Sequence, residues 1–123
     1  IIKRASILSG LFFAQIWRMK ACQYFLVNAF TGENALGNQA CVLFVDDLSD
    51  DSKLQAIAAN MNLPATTFLM PFEDGYKVRW FAPMAEIGLC GHGTIAATWV
   101  LSRHLNKADS HRFYYNTGRI DGY

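Results

Sequence analysis

The sequence predicts a mixed α+β fold, a curled and mostly antiparallel sheet around one buried helix, and three observations predict it. Short apolar and aromatic runs recur between turn residues, and only two stretches carry helical spacing. The second of these, Thr94 to Leu101, is apolar on nearly every side, with Ile95, Ala96, Ala97, Trp99, Val100 and Leu101. A helix without a polar face has to be enclosed, and a sheet wrapped around it is an economical enclosure in a chain of 123 residues. With 52% of its residues apolar, the chain is expected to be a folded globular body with a moderate core.

Each element has its own warrant. Cys22 to Ala29 is a short apolar, aromatic run and reads as a strand. Phe30 to Asn38 follows with Gly32, Asn34, Gly37 and Asn38, the residue types of a loop. Gln39 to Val45 reads as a second strand, closed by Asp46 and Asp47. Ser49 is placed to cap a helix whose first turn holds Asp50 and Asp51, acids that suit the positive end of the helix dipole. Leu54, Ile57, Ala58 and Met61 share one face, so this is a surface helix, and Pro64 breaks it. Thr66 to Met70 reads as a strand, and Glu73-Asp74-Gly75 turns the chain into Tyr76 to Phe81 as a hairpin. Arg112 to Ile120 reads as a strand, a turn and the first residues of another strand, near Tyr123. No repeat, low-complexity tract or linker interrupts this order.

The first eighteen residues differ from the rest. Ile1-Ile2-Lys3-Arg4 and the apolar run to Trp17 have the basic start and apolar middle of a secretory signal, without a small-x-small cleavage site before Arg18. The run is also too short to span a bilayer. Met19-Lys20 opens a strand-like stretch, so residues 1–18 are read as an upstream extension and 19–123 as the domain, with a signal peptide as the alternative.

Charge and cysteine usage exclude some classes. Eleven basic against ten acidic residues give a net charge of +1, too little for an extended basic face, so no nucleic-acid partner is expected, nor a membrane. Cys22, Cys41 and Cys90 are odd in number and show no CxxC spacing, and His92, His104 and His111 show no ligand pattern. Neither a disulfide framework nor a metal site is supported, and a cytoplasmic setting is the expectation.

Leu89-Cys90-Gly91-His92-Gly93-Thr94-Ile95 carries the chemistry. It lies between a strand pattern and a helix pattern, so it should form the helix N-terminus, whose first N–H groups lack internal partners and attract an anion such as a carboxylate. Gly91 and Gly93 let that anion come close. His92 can move a proton near neutral pH, and a thiolate at Cys90 would sit in a favourable field. The plainer reading makes Cys90 a small buried hydrophobe and His92 a helix residue with a satisfied hydrogen bond.

Four segments together resemble the PhzF-like family, the phenazine-biosynthesis isomerases and their relatives. They are Asn28-Ala29-Phe30-Thr31 through Gly37-Asn38-Gln39-Ala40-Cys41-Val42, Leu48-Ser49 to Asn62-Leu63, Thr66-Thr67-Phe68-Leu69, and Trp80-Phe81-Ala82-Pro83 through Leu89-Cys90-Gly91-His92-Gly93-Thr94. The likeness runs from about Met19 to Tyr123. Its agreement across four separated motifs makes it specific, whereas the Cys-Gly-His-Gly alone also occurs in the related proline racemases.

The resemblance implies a diaminopimelate epimerase-like fold of two similar lobes, each a β-roll around a central helix, with the active site between them. This chain resembles the first lobe only, short of its last strands, with the second half absent. Exposed strand edges at that end predict a homodimer or other self-association. The implied chemistry is proton transfer at carbon in a small carboxylate substrate, with no metal and no organic cofactor.

In the family a Glu in a Ser-Glu-Thr-like context shuttles the proton and the His of Cys-Gly-His shares its pocket. His92 matches the second position, but the first is Ala65, within Pro64-Ala65-Thr66. General acid–base catalysis supplies about a hundred- to ten-thousand-fold, so alanine there predicts an impaired isomerase. A second alternative makes Cys90 the base of a racemase, epimerase or dehydratase, as in related enzymes that pair it with a second cysteine, although phenazine-type members carry the same Cys without catalytic duty. A third is a non-catalytic relative that binds a small carboxylate or a protein. The candidate residues are therefore His92 and Cys90 for catalysis, and Gly91, Gly93, Thr94 and Asn38 for substrate binding. Glu86 reads as a solvent-facing residue, Cys22 and Cys41 as core, and His104 and His111 as helix-end residues meeting the dipole.

Overall fold

The protein is represented by a computed structural model that describes residues 6–12, 22–29, 38–105 and 110–122. In chain order these form β1 (Ser6–Phe12), β2 (Cys22–Ala29), β3 (Asn38–Phe44), α1 (Asp51–Met61), β4 (Ala65–Phe72), β5 (Gly75–Phe81), β6 (Glu86–Ile87), α2 (Gly91–Trp99), β7 (His111–Tyr115) and β8 (Gly118–Gly122). The eight strands make one sheet in the order β1-β2-β3-β4-β5-β7-β8, with β6 paired on β5.

Antiparallel pairing dominates, but β3/β4 and β5/β7 are parallel. Parallel neighbours need a crossover, and the two helices lie within those connections: α1 follows β3 and precedes β4, while α2 precedes β7. β1, inside the segment read as an extension, pairs antiparallel with β2 from Ser6 opposite Asn28 to Phe12 opposite Cys22.

Side-chain alternation divides the core. On β3, Ala40 and Val42 join the cluster around α2, with Phe25, Val27, Leu69, Val78, Trp80, Ala96, Ala97, Val100 and Phe113. Cys41 and Leu43 point the other way, into a cluster with Leu54, Ile57 and Ala58 of α1 and Phe68 and Phe81 of the sheet. β4 is buried on both faces from Ala65 to Leu69, which is why its sequence shows no alternation of apolar and polar residues. Phe68 and Phe81 meet edge-to-face at 5.5 Å in the α1 layer.

α2 packs on β3, β4 and β8, so strands distant in the sheet order reach the same helix and the sheet curls about it. At β8 the approach is close: a Cβ at Gly122 would lie 2.0 Å from Thr98 Oγ1. This is the mixed α+β roll expected from the sequence. Gly91 and Ile95 are exposed and Trp99 is half-buried, so the helix is enclosed on all but one strip along its length.

Several boundaries differ from the sequence reading. Asp50, not Ser49, caps α1: its side chain accepts from the Lys53 N–H at 3.1 Å, while Ser49 bonds Asp47 instead. Asn62, at φ 51°, ends α1 before Pro64 is reached, its N–H bonding the Ala58 carbonyl. α2 begins at Gly91, three residues before Thr94, and continues into a π-helical turn, Val100–His104, closed by Leu105 N–H to Val100 O at 2.9 Å. The strand, turn and strand expected over Arg112 to Ile120 are β7, His111–Tyr115, and β8, Gly118–Gly122. The Phe30 to Gly37 loop and the side chains of Cys22 and His104 lie outside the described residues. Among the described residues, no helix is long and apolar enough to cross a membrane.

Candidate functional site

The Cys90 junction is a capped helix N-terminus. Cys90 has extended backbone angles (φ −129°, ψ 101°), and its Sγ accepts from the Gly93 N–H at 3.3 Å, the place a serine or aspartate oxygen takes in an ordinary N-cap. Its carbonyl accepts the Thr94 N–H at 3.1 Å and the Thr94 hydroxyl at 2.7 Å. Thr98 continues the pattern by donating to the Thr94 carbonyl at 2.8 Å.

These bonds narrow the expected anion cradle. The N–H groups of Gly93 and Thr94 are turned into the chain, and the Thr94 hydroxyl is occupied too, so the cradle is at most the first two amides, those of Gly91 and His92. The glycines also separate into two roles. A Cβ at Gly91 would meet nothing within 4 Å, so open space lies beside it. A Cβ at Gly93 would lie 2.5 Å from Thr67 Oγ1 and 2.8 Å from Trp80 Cδ1, so glycine there allows the first turn of α2 to sit directly on β4 and β5.

His92 is half-buried and the solvent does not reach its ring nitrogens. Cys90 is half-buried and packs against the α2-side cluster. Cys41, by contrast, is fully buried, and burial pushes its thiol up to about 12. The core role expected for Cys41 holds. Asn38 is the first residue of β3, opposite Ala29, and not a loop residue; its side chain lies outside the described residues.

Ala65 is 3% exposed and pairs with Ala40, a member of the α2-side cluster. It shares its pleat with Thr67 and Leu69, the first lying against Gly93 and the second within that cluster. Position 65 therefore faces the layer of α2, two residues along the pleat from the strand's contact with the helix's first turn.

Supports that the sequence did not announce hold the surrounding loops. Arg79, its side chain 16% exposed, forks onto Glu86 through Nε and Nη2, both at 2.8 Å. Its Nη1 donates to the Leu48 carbonyl and to Asp51, each at 2.7 Å. The Glu86 bonds, ahead of those to Asp51, raise the Arg79 pKa. Glu86 is thus an exposed strand-end residue, as expected, and is engaged by a cation. Gln55 on α1 donates to the Ala82 and Pro83 carbonyls at 3.0 and 3.1 Å, fixing the loop that leads to Cys90.

His111 is buried in β7, its Nε2 lying 2.9 Å from Ser102 Oγ in the π-helical turn that ends α2, so it packs against the helix end. A cleft of about 590 Å³ lies elsewhere, around Ser49, Lys77, Arg79, Tyr114 and Asn116, and neither Cys90 nor His92 lines it. Among the described residues no group of His, Cys, Asp and Glu is placed to hold a metal.

The profile of the PhzC-PhzF family, described as phenazine biosynthesis-like protein, matches residues 27–121. An uncharacterized isomerase of Halalkalibacterium halodurans is 38% identical over 102 residues, which are 81% of this chain and 38% of that protein. The human phenazine biosynthesis-like domain-containing protein is 33% identical over 94 residues, 70% of this chain and 33% of its own. A crystal structure of a phenazine biosynthesis PhzC/PhzF protein from Clostridium difficile superposes with a TM-score of 0.73 at 35% identity, over 82% of this chain and 39% of that one. A predicted epimerase from Pseudomonas aeruginosa, at 21% identity and a TM-score of 0.69, shares the fold. The chain thus spans less than half the length of the relatives it matches, and it belongs to the PhzC-PhzF family of phenazine biosynthesis-like proteins, whose relatives here include isomerases.

Proposed function

We propose that this chain carries one side of a cofactor-free proton-transfer site, acting at carbon in a small carboxylate, with catalytic power reduced by alanine at position 65. The observation that supports this most is the turn Cys90-Gly91-His92. It puts open space, the first amides of a helix and an imidazole within three consecutive residues at the start of α2. The Gly91 and His92 amides would receive the carboxylate, and His92 would give or take the proton. Ala65, on the pleat facing α2, stands where the family resemblance places the partner carboxylate, and an alanine has no proton to move. Residues outside this lobe, or a second copy of the chain, would close the pocket, and in the latter case a homodimer is the working form.

Solvent-deuterium incorporation tests the reading. A panel of small carboxylates with an acidic C–H is incubated with the protein in D2O and followed by mass spectrometry. Slow incorporation that His92→Asn lowers about a hundredfold or more is the expected result. Incorporation unchanged in His92→Asn would refute the role of His92.

A second reading has one observation in its favour. Cys90 Sγ is half-buried and accepts the Gly93 N–H at the start of α2, so a thiol stands two residues from His92 as a second candidate base. Alkylation of Cys90 separates the two. Under the His92 reading, Cys90→Ser keeps most of the exchange activity and becomes resistant to iodoacetamide. Abolition by Cys90→Ser with His92→Asn unaffected would favour the thiolate.

A further inference from the structure

Two buried polar atoms beneath the first turn of α2 lack a partner among the described residues. They are Thr67 Oγ1 and Trp80 Nε1, in side chains that are 0% and 1% exposed. Thr67 and Trp80 are directly opposite each other in the β4/β5 pairing. Both atoms approach the same point of α2: a Cβ on Gly93 would lie 2.5 Å from Thr67 Oγ1 and 3.2 Å from Trp80 Nε1.

Their chemistry restricts what is missing. An indole N–H can only donate, so Trp80 lacks an acceptor. The hydroxyl of Thr67 donates readily, and the helix N-terminus above them repels a cation and favours an anion. Two donors thus meet beneath Gly93, one residue from the amides that begin α2, and buried polar groups left without partners are costly.

We infer that Thr67 and Trp80 belong to the binding site, as donors to a carboxylate oxygen that enters beside Gly91 and reaches them under the first turn of α2. The inference rests on the carboxylate reading above and adds two binding residues to it. The open space at Gly91 is the approach, and the proposal requires the first turn to move off β4 and β5 as the oxygen enters, because both donors lie below the surface and there is no room for an added carbon at Gly93. Trp80 Nε1–H and Thr67 Oγ1–H then hold one carboxylate oxygen while the Gly91 and His92 amides hold the other. Paired donors of this kind favour a planar carboxylate that offers two oxygens at once.

The indole N–H is its own reporter. 1H–15N spectra of the full chain are recorded during titration with acetate, with sodium chloride at matched ionic strength as the control. The Trp80 indole signal is assigned by its loss in Trp80→Phe. The expected result is a saturable shift of that signal with the same Kd as the shift of the Gly91 amide. Thr67→Val, which removes the hydroxyl and keeps the shape, should weaken acetate binding about tenfold. It should leave the folded state at least as stable, because an unpaired buried hydroxyl is removed. If the Gly91 amide shifts and the Trp80 indole does not, the helix end binds carboxylate without this pair, and the inference fails while the functional reading stands. A Trp80 indole that shows contacts to water and ignores acetate marks a buried water, with the same consequence. If neither signal responds, both the inference and the carboxylate reading fall.

Discussion

Gly91 and Gly93 are two residues apart on one helical turn, and the structure gives them opposite duties. Gly93 sits where a side chain would strike Thr67 and Trp80, so Gly93→Ala must push α2 away from β4 and β5. Overpacking of this kind costs about 1–3 kcal/mol, and urea unfolding should show that loss. Gly91→Ala meets no atom and exchanges glycine for a better helix former, so its stability should stay within about 1 kcal/mol of wild type or rise. The same methyl group occupies the space proposed for the carboxylate, so acetate binding should fall while stability holds. Equal stability loss in both variants would contradict this separation of roles. Both glycines were recognisable as site residues from Cys90-Gly91-His92-Gly93, but their duties were not, because the atoms that define them come from β4 and β5. Sequence spacing carries no information about which strand a helix turn will rest on.

Elements were more legible than contacts. The hairpin at Glu73-Asp74-Gly75, the apolar β3 and the nearly all-apolar α2 follow from period and turn chemistry alone. The parallel pairs β3/β4 and β5/β7 do not, because pairing direction depends on where α1 and α2 carry the chain. The cap of α1 was misplaced by one residue because Ser49 and Asp50 are both good caps, and only the bond from Lys53 N–H decides between them.

Ion pairs between distant elements were equally hidden. Asp74, in the β4–β5 turn, accepts from the Tyr114 hydroxyl and from Arg112 Nη1 at 2.6 Å, and Arg112 also reaches Asp121 at 3.3 Å. The hydrogen bond from Tyr114, helped by the Arg112 charge, holds the Asp74 carboxyl below its ordinary range. A carboxyl lowered in the folded state stabilises above its unfolded pKa, near 4, and that contribution is lost as the pH falls through the lower folded value. Asp74→Asn should therefore flatten the decline of the urea midpoint below about pH 4. A residual slope from Asp47, lowered by its hydrogen bonds from Ser49, should remain. An unchanged acid profile in Asp74→Asn would remove the turn from the pH account.

At the scale of the whole molecule, a curled sheet encloses α2 but leaves the approach to its N-terminus apolar and open. Met84 is 90% exposed, Leu89 56% and Ile95 38%, all within the segment that leads into and begins α2. Exposed apolar side chains favour a covering surface, and under the proposed function a second copy of the chain would supply it. Sedimentation of the chain should show self-association that Met84→Lys with Leu89→Lys reduces; a monomer unaffected by these changes would contradict a second copy on this face. The family was legible from four motifs because they are local in sequence. The alanine at position 65 was legible in the sequence, but its place facing the α2 layer required the β3/β4 register to establish.

That position offers the most direct test of the account. Solvent-deuterium incorporation into small carboxylates is compared for the wild-type chain, Ala65→Glu, and Ala65→Glu combined with His92→Asn. The account predicts slow exchange in the wild type, a gain of about a hundredfold or more in Ala65→Glu, and its loss in the double variant. A correctly folded Ala65→Glu that exchanges no faster than the wild type would contradict the proposal that alanine at position 65 is what limits proton transfer at this site.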